Sequence, residues 1–409
     1  MKQYLVLTPD PLQWRSQLFN LSGMSSPVEI VDQIIGQGVR LNASDILLEP
    51  QEKEVVVRFR VDGVLHAFGT MPFGAYDQVL SRIKILGNMD VAESRKPQES
   101  KLRFTVDNHP YVLRAAIIST HFGQMAALRI LDMPQFANFE SMGMSTDLAN
   151  RIKKNISGRY GLFLVCGPTG AGKTTTVHAC LQHLNDGESN IMTIEDPIEY
   201  VIPSLNQIEV GSDVGLNFAG SLRIMLRLNP DIIFVGEIRD AETAQIAVQA
   251  SLTGHLVIST IHSRNAVGAL YRLMDLGVDR YMINYALRGI VAQRLMRRTC
   301  EECKETYIPT SEEIDFYTKE KGTAPESLMH GKMCPNCHMT RYKGRVGIYE
   351  LLEMDDDIRN LISAGTGETQ FRDELARKGF VSMAREGIDL VDEGVTSLRE
   401  YIRTVYDAR

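Results

Sequence analysis

The stretch Leu162-Phe-Leu-Val-Cys166, followed directly by Gly167-Pro-Thr-Gly-Ala-Gly-Lys-Thr174, decides how this chain is read. A short run that is apolar throughout predicts a strand covered on both faces. The eight residues after it match G-x-x-x-x-G-K-[ST] at every position and open a helical stretch from about Thr174 to Leu184. Strand, loop and helix in that order are the context the motif requires. Glycines let successive backbone N–H groups turn inward around phosphate oxygens, and the helix N-terminus adds the positive end of its dipole. The expected nucleotide-binding residues are therefore Gly167, Pro168, Thr169, Gly170, Ala171, Gly172, Lys173, Thr174 and Thr175. Lys173 is expected to reach the β- and γ-phosphates and the Thr174 hydroxyl to hold Mg²⁺. The chain is expected to bind a nucleoside triphosphate.

Further apolar runs follow at Ile191–Ile194, Ile232–Val235 and Leu256–Ile261, alternating with helical stretches. That alternation predicts an α/β domain with a parallel sheet between helices. Asp231-Ile-Ile-Phe-Val-Gly-Glu237 ends its strand in an acid, and a carboxylate there is placed to orient and deprotonate an attacking water. Glu237 is thus the expected general base. Gly236 stands where such strands usually carry a metal-holding Asp, so Mg²⁺ must lean on Thr174, water and another acid, with Glu195 and Asp196 available in Ile191-Met-Thr-Ile-Glu-Asp-Pro197. His255 and His262 flank the run Leu256–Ile261. Because strand C-termini line the ligand crevice of such a sheet, His262 is the one positioned to sense a γ-phosphate.

Ahead of this region lies a smaller α+β pattern. Residues 1–26, with Trp14, read as an arm. Pro27 begins a helix capped by Ser26, with Val28, Val31, Ile34 and Ile35 on one face. Glu54–Val61 and Tyr111–Ile118 read as strands, Asp62-Gly63 as a tight hairpin turn, and Tyr76–Met89 as an amphipathic helix. The expected domains are residues 27–131, a linker at 132–140, and an ATPase domain at 141–409. With 409 residues, 44% hydrophobic, 23% charged and a formal net charge of −7, the composition is that of an ordinary globular protein and excludes disordered and collagen-like classes. The sequence offers neither an apolar run of about eighteen residues nor a signal-peptide core, and the expected location is the cytosol.

Cys166 and Cys180 read as small buried hydrophobes. The other four cysteines form two C-x-x-C pairs, Cys300/Cys303 and Cys334/Cys337, separated by Lys304–Met333. Four thiolates in two such knuckles suit tetrahedral Zn²⁺ with no open coordination position, so the site is expected to be structural. It belongs to an insertion at about residues 299–347.

Four segments then occur in a telling order: Gly-Pro-Thr-Gly-Ala-Gly-Lys-Thr-Thr-Thr, Thr-Ile-Glu-Asp-Pro-Ile-Glu, Gly-Glu-Ile-Arg-Asp-Ala-Glu-Thr-Ala and Leu-Thr-Gly-His-Leu-Val-Ile-Ser-Thr-Ile-His. They resemble the Walker A, Asp, Walker B and His boxes of the type II secretion and type IV pilus ATPases, over about residues 27–354. The resemblance implies a RecA-like ATPase domain after a PAS-like N-terminal domain. It also implies a cytoplasmic homohexamer, peripheral at the inner face of the membrane, working an inner-membrane platform protein and other components of the pilus or secretion machine. By matching positions it makes Glu237 the catalytic glutamate, Glu195 and Glu199 the acids near Mg²⁺, and His255 and His262 the His-box pair. Arg58 and Arg60 match the family's N-terminal domain, from which the family brings arginines to the phosphates, and Arg114 stands where one of these is expected. Lys101 replaces one of those arginines, and a lysine lacks the guanidinium fork. Leu47 and Gln124 also depart from the family pattern, and the additional N-terminal domain of some members is expected to be absent. The tetracysteine insertion is a feature of the assembly and secretion members more than of retraction motors.

The implied cofactors are ATP, Mg²⁺ and Zn²⁺, and the implied function is an ATP-hydrolysing motor for pilus or pseudopilus assembly. The alternatives are a retraction motor, or a nucleic-acid translocase on the same core. For the latter the densest basic cluster is Arg294, Arg297 and Arg298. It reads instead as a helix face answering acids on a neighbouring subunit. It lacks an aromatic stacking platform, so no specific nucleic-acid partner is expected.

Overall fold

The structure, a computed structural model, describes residues 19–20, 26–131, 138–211 and 217–406. The expected arm (residues 1–26) and the expected linker therefore lie largely outside the described residues. The chain divides into two compact units at Met133–Pro134.

The N-terminal unit has strands β1 (Phe19–Asn20), β2 (Ala43–Pro50), β3 (Val55–Val61), β4 (Val64–Met71), β5 (Gln98–Val106), β6 (His109–Thr120) and β7 (Gly123–Leu131), with helices α1 (Pro27–Arg40) and α2 (Phe73–Leu86). The sheet order is β1-β4-β3-β2-β7-β6-β5, antiparallel except where β1 runs parallel to β4. Alternation on β3 sends Val55, Val57 and Phe59 into the core, where they join Ile30 and Ile34 of α1 and Val79 and Ile83 of α2. The Ser26 hydroxyl accepts from Val28 N–H and Pro27 opens α1, as the cap pattern predicts. Asp62 and Gly63, both left-handed, close the β3–β4 hairpin between Val61 and Val64. Helix α2 starts and stops three residues before the expected Tyr76–Met89. Pro72 precedes its first turn, and the Gly87 N–H closes its last turn onto the Ile83 carbonyl.

The C-terminal unit carries β8 (Gly161–Cys166), β9 (Ile191–Glu195), β10 (Asn206–Glu209), β11 (Ile232–Val235), β12 (Leu256–Ile261), β13 (Leu287–Thr299), β14 (Lys304–Tyr307), β15 (Leu328–Gly331) and β16 (Tyr342–Glu353). Its helices are α3 (Thr146–Ile156), α4 (Lys173–Leu184), α5 (Phe218–Met225), α6 (Ala241–Leu252), α7 (Ala266–Asp275), α8 (Arg280–Ala286), α9 (Ser311–Lys321), α10 (Asp356–Ser363), α11 (Glu368–Arg377), α12 (Met383–Asp392) and α13 (Leu398–Val405). The main sheet runs β10-β9-β11-β12-β8-β13-β16. It is parallel from β10 to β13 and antiparallel only at the last pair. Alternation along β8 feeds both faces: Leu162 and Leu164 enter one core, Phe163 and Val165 the other. The sheet is thus buried on both sides, as its apolar runs require.

One feature departs from expectation. Ala292–Arg298 is not a helix face; it lies in β13, hydrogen-bonded to β8 on one side and β16 on the other. Two of its three basic residues are used inside the unit, and the third, Arg298, is exposed. Arg297 pairs with Glu400, a carboxylate at 0% side-chain exposure, and stacks on the Tyr342 ring. Arg294 donates to the Thr404 carbonyl at 2.5 Å. In sequence, the arginines hide the strand. Among the described residues, no helix is long and apolar enough to cross a membrane.

Candidate active site

The loop Gly167–Gly172 leaves the C-terminal end of β8, which lies between β12 and β13, and feeds α4. Gly167 has φ +153°, and a Cβ there would sit 2.4 Å from the Gln293 carbonyl oxygen, so only glycine fits. Lys173 Nζ donates to the carbonyls of Gly167 (2.9 Å) and Pro168 (3.0 Å), folding the side chain over its own loop. Burial lowers its pKa, while Glu237, Cys166 and Glu199 pull the other way. Both acids therefore act on the lysine's charge.

Glu237 follows β11, and its position is fixed through the neighbouring strands. Gly236 N–H donates to the Ile194 carbonyl of β9 at 2.7 Å, and the Thr260 hydroxyl of β12 donates to the Gly236 carbonyl at 2.7 Å. A Cβ on Gly236 would meet Ile194 O at 2.9 Å. This crowding is the physical reason an Asp does not stand there. The Glu237 side chain is 14% exposed; one oxygen pairs with Arg239, and His262 Nε2 approaches the other at 3.4 Å. That second oxygen, Oε2, is buried and has no hydrogen-bond partner among the described residues. A buried carboxylate oxygen left open beside a lysine-bearing loop fits a water or metal-bound water as the missing partner.

Glu195 ends β9 at 5% exposure. Its Oε1 accepts from Thr193 Oγ1 (2.7 Å) and Gln207 Nε2 (2.9 Å). Burial raises its pKa against these hydrogen bonds, with Glu199 and Glu209 adding like charge. A cation brought to this group of acids would relieve that like charge. Asp196, the other acid left open by the sequence, is exposed.

The two histidines separate. His262 follows β12 at the end that pairs with Cys166, beside Glu237. His255 precedes the same strand, its Nδ1 against the Ala250 carbonyl at 3.0 Å. The whole length of β12 lies between them. Arg114 lies on β6 of the N-terminal unit and pairs with Glu99. Arg58 pairs with Glu49, and Arg60 with Asp45. Sequence reasoning missed Gln207 and Gln293. Neither carries a motif signal: Gln207 acts across to the neighbouring strand β9, and Gln293 reaches the nucleotide loop and the helix after it, far away along the chain.

Cys300, Cys303, Cys334 and Cys337 converge, with all four sulfurs within 4.8 Å of one another. The separations are 3.8 Å for Cys300–Cys334, 3.9 Å for Cys303–Cys337 and 3.7 Å for Cys334–Cys337. Zn–S bonds of about 2.3 Å in a tetrahedron give sulfur–sulfur edges of about 3.8 Å, so the thiols fit a structural zinc. Burial first, then the neighbouring thiols, push Cys303 up to about 12, a penalty that a dication reverses.

Comparison with known proteins gives a consistent picture. The profile of the type II/IV secretion system protein family matches residues 21–403. The type IV pilus assembly ATPase PilB of Thermus thermophilus is 41% identical over 387 residues, 93% of this chain and 43% of that protein. The type II secretion system ATPase E of Vibrio cholerae is 39% identical over 382 residues, 93% of this chain and 76% of that protein. The chain thus spans less than half of the Thermus relative. Among solved structures, the pilus retraction motor PilT with bound ADP aligns at TM-score 0.60 and 27% identity, covering 91% of this chain and 96% of that one. The Legionella pneumophila ATPase DotB aligns at TM-score 0.69 and 21% identity, covering 94% of this chain and 98% of that one, a likeness of fold.

Proposed function

Since this chain belongs to the type II/IV secretion system protein family, we propose that it is an ATP-hydrolysing motor that powers assembly of a type IV pilus or a type II secretion pseudopilus. The observation that carries this reading is Glu237: a strand-end carboxylate whose buried Oε2 makes no hydrogen bond, with His262 beside it and Lys173 within reach of its charge.

The loop amides and Lys173 bind the triphosphate and answer the charge that grows on it. Thr174, with Glu195 and Glu199, would hold Mg²⁺, which would supply charge neutralisation at the phosphates. Glu237 orients the attacking water and takes its proton. His262, at 3.4 Å from Oε2, steadies that carboxylate and responds to the terminal phosphate. Arg239 occupies the other Glu237 oxygen, so it must yield or hold that oxygen still while Oε2 works. The zinc knuckle is structural, and the tetracysteine cluster favours assembly over retraction. The working form is a cytoplasmic homohexamer at the inner face of the membrane, coupled to a platform protein.

Glu237→Gln is the test: ATP binding persists while turnover falls about 100- to 10,000-fold, the range for a lost general base. Near-normal turnover removes Glu237 from that role. Stimulation of the ATPase by single-stranded DNA, and not by the platform protein's cytoplasmic domain, would favour a translocase instead.

A further inference from the structure

We propose that Gln293 is a positioning residue of the nucleotide loop, its side-chain amide setting the loop peptides in the orientation that binds phosphate. Gln293 sits on β13 at 1% exposure. Its Nε2 donates to the Ala171 carbonyl at 2.7 Å, and its Oε1 accepts from the Thr176 hydroxyl at 2.7 Å. The chemistry fixes this orientation, because a backbone carbonyl only accepts and must face the amide nitrogen. Thr176, in the first turns of α4, then has to donate to the oxygen. The Gln293 backbone carbonyl, meanwhile, is the atom that a Cβ on Gly167 would strike. One residue on an adjacent strand therefore touches the loop at its start, in its middle and at the helix it opens.

The middle contact is the one with a consequence for phosphate. A trans peptide is planar, so the Ala171 carbonyl and the Gly172 N–H belong to one plate and point in opposite directions. Holding the carbonyl toward Gln293 holds the Gly172 N–H away from it. In a phosphate-binding loop the N–H groups converge on the anion and the carbonyls face outward, where each needs its own partner. Ala171 is buried, and Gln293 supplies its carbonyl's partner. The Thr176 hydroxyl pins the far end of the same amide, which stops it rotating away. Loss of the pair frees the Ala171–Gly172 plate to turn, and the loop then spends part of its time with a donor misdirected.

This inference rests on the nucleotide-binding reading, and the experiment separates the two. In the full chain carrying Glu237→Gln, ATP with Mg²⁺ is titrated and Kd measured directly. Gln293→Leu is expected to weaken ATP binding about tenfold, the scale of one lost buried hydrogen bond. Thr176→Val, which keeps the Ala171 bond and removes the pin, is expected to weaken it about threefold. In the chain with native Glu237, KM rises by the same factors, while kcat falls far less than in Glu237→Gln. A residue that merely supports the fold would lower the melting temperature and the active fraction, leaving Kd and KM of the folded molecules unchanged. If the Glu237→Gln chain binds no ATP, the nucleotide reading itself fails. If it binds and both variants stay within experimental error of it, the role given to Gln293 is overturned. Should Gln293→Leu not fold, Thr176→Val decides alone, on the same criterion.

Discussion

Removing the metal from the four cysteines should lower the melting temperature of the C-terminal unit by about 7–15 °C. The structure sets the size of this effect. A tetrathiolate joins Cys300/Cys303 to Cys334/Cys337 and closes the loop formed by β14, α9 and β15. Closing a loop of roughly thirty residues removes about 12 cal/mol/K of chain entropy, or about 3.7 kcal/mol at 25 °C. One kcal/mol shifts the melt of a domain this large by about 2–4 °C. Other contacts tether the insertion too: Tyr317 donates to Asp392 at 2.8 Å and Lys321 to Asp389 at 2.7 Å. The predicted loss is therefore a shift in the melt and not collapse of the whole unit. The assay is elemental analysis of the purified chain, expected to give about one zinc per chain, followed by calorimetric melts with and without a strong chelator. Cys334→Ser should reproduce the chelator's shift and be insensitive to further chelation. A chain that purifies without zinc and melts within about 2 °C under chelation would refute both the tetrathiolate and the loop-closure reasoning.

Glu400→Ala removes the fully buried carboxylate that pairs with the partly buried Arg297 and with Arg403, and should cost about 3–5 kcal/mol in chemical denaturation; a loss below about 1 kcal/mol would mean that this pairing is not committed to the fold. Burial raises the Glu386 pKa to about 7, against the Tyr349 N–H it accepts and with Asp389 and Glu350 adding like charge. A carboxyl whose folded pKa lies above its unfolded value binds more protons when folded, so its ionisation takes stability away as pH rises from about 4.5 to about 7. Glu386→Gln, which keeps an acceptor for Tyr349, should therefore gain on the native chain at pH 8 relative to pH 5. A difference in stability that does not change with pH would remove Glu386 as the source.

The phosphate loop, the four strands with unbroken apolar runs, the Ser26–Pro27 cap and the Asp62–Gly63 turn were all legible in sequence, because each is decided within a few neighbouring residues. The four cysteines were legible for a similar reason, since thiol chemistry leaves few alternatives at that spacing. Strand β13 was not. Its polar positions Gln293, Arg294 and Arg297 find partners at Ala171, Thr404 and Glu400, all far along the chain, and a strand with partly buried arginines has no local signature. The His box shows the opposite limit. Two histidines seven positions apart look like a pair, yet the strand between them carries one to each of its ends, on opposite sides of the sheet's span. Gly236 read as a missing acid, and packing against Ile194 turns that absence into a requirement.

Strand β13 carries Gln293 at its centre and delivers Cys300 one residue beyond its end. It is laddered to β8 and β16, with the register shifting between Leu287 and Gly289 against β8 and between Arg297 and Thr299 against β16. Because a one-residue slip reverses every side chain of a strand, the interval from 293 to 300 behaves as a gauge of fixed length. An insertion or deletion inside it would either rotate the amide off the loop or draw the first sulfur out of its tetrahedron. Lys304–Met333 is different: chain added there would enlarge the lobe beyond the knuckle without moving either end of the gauge.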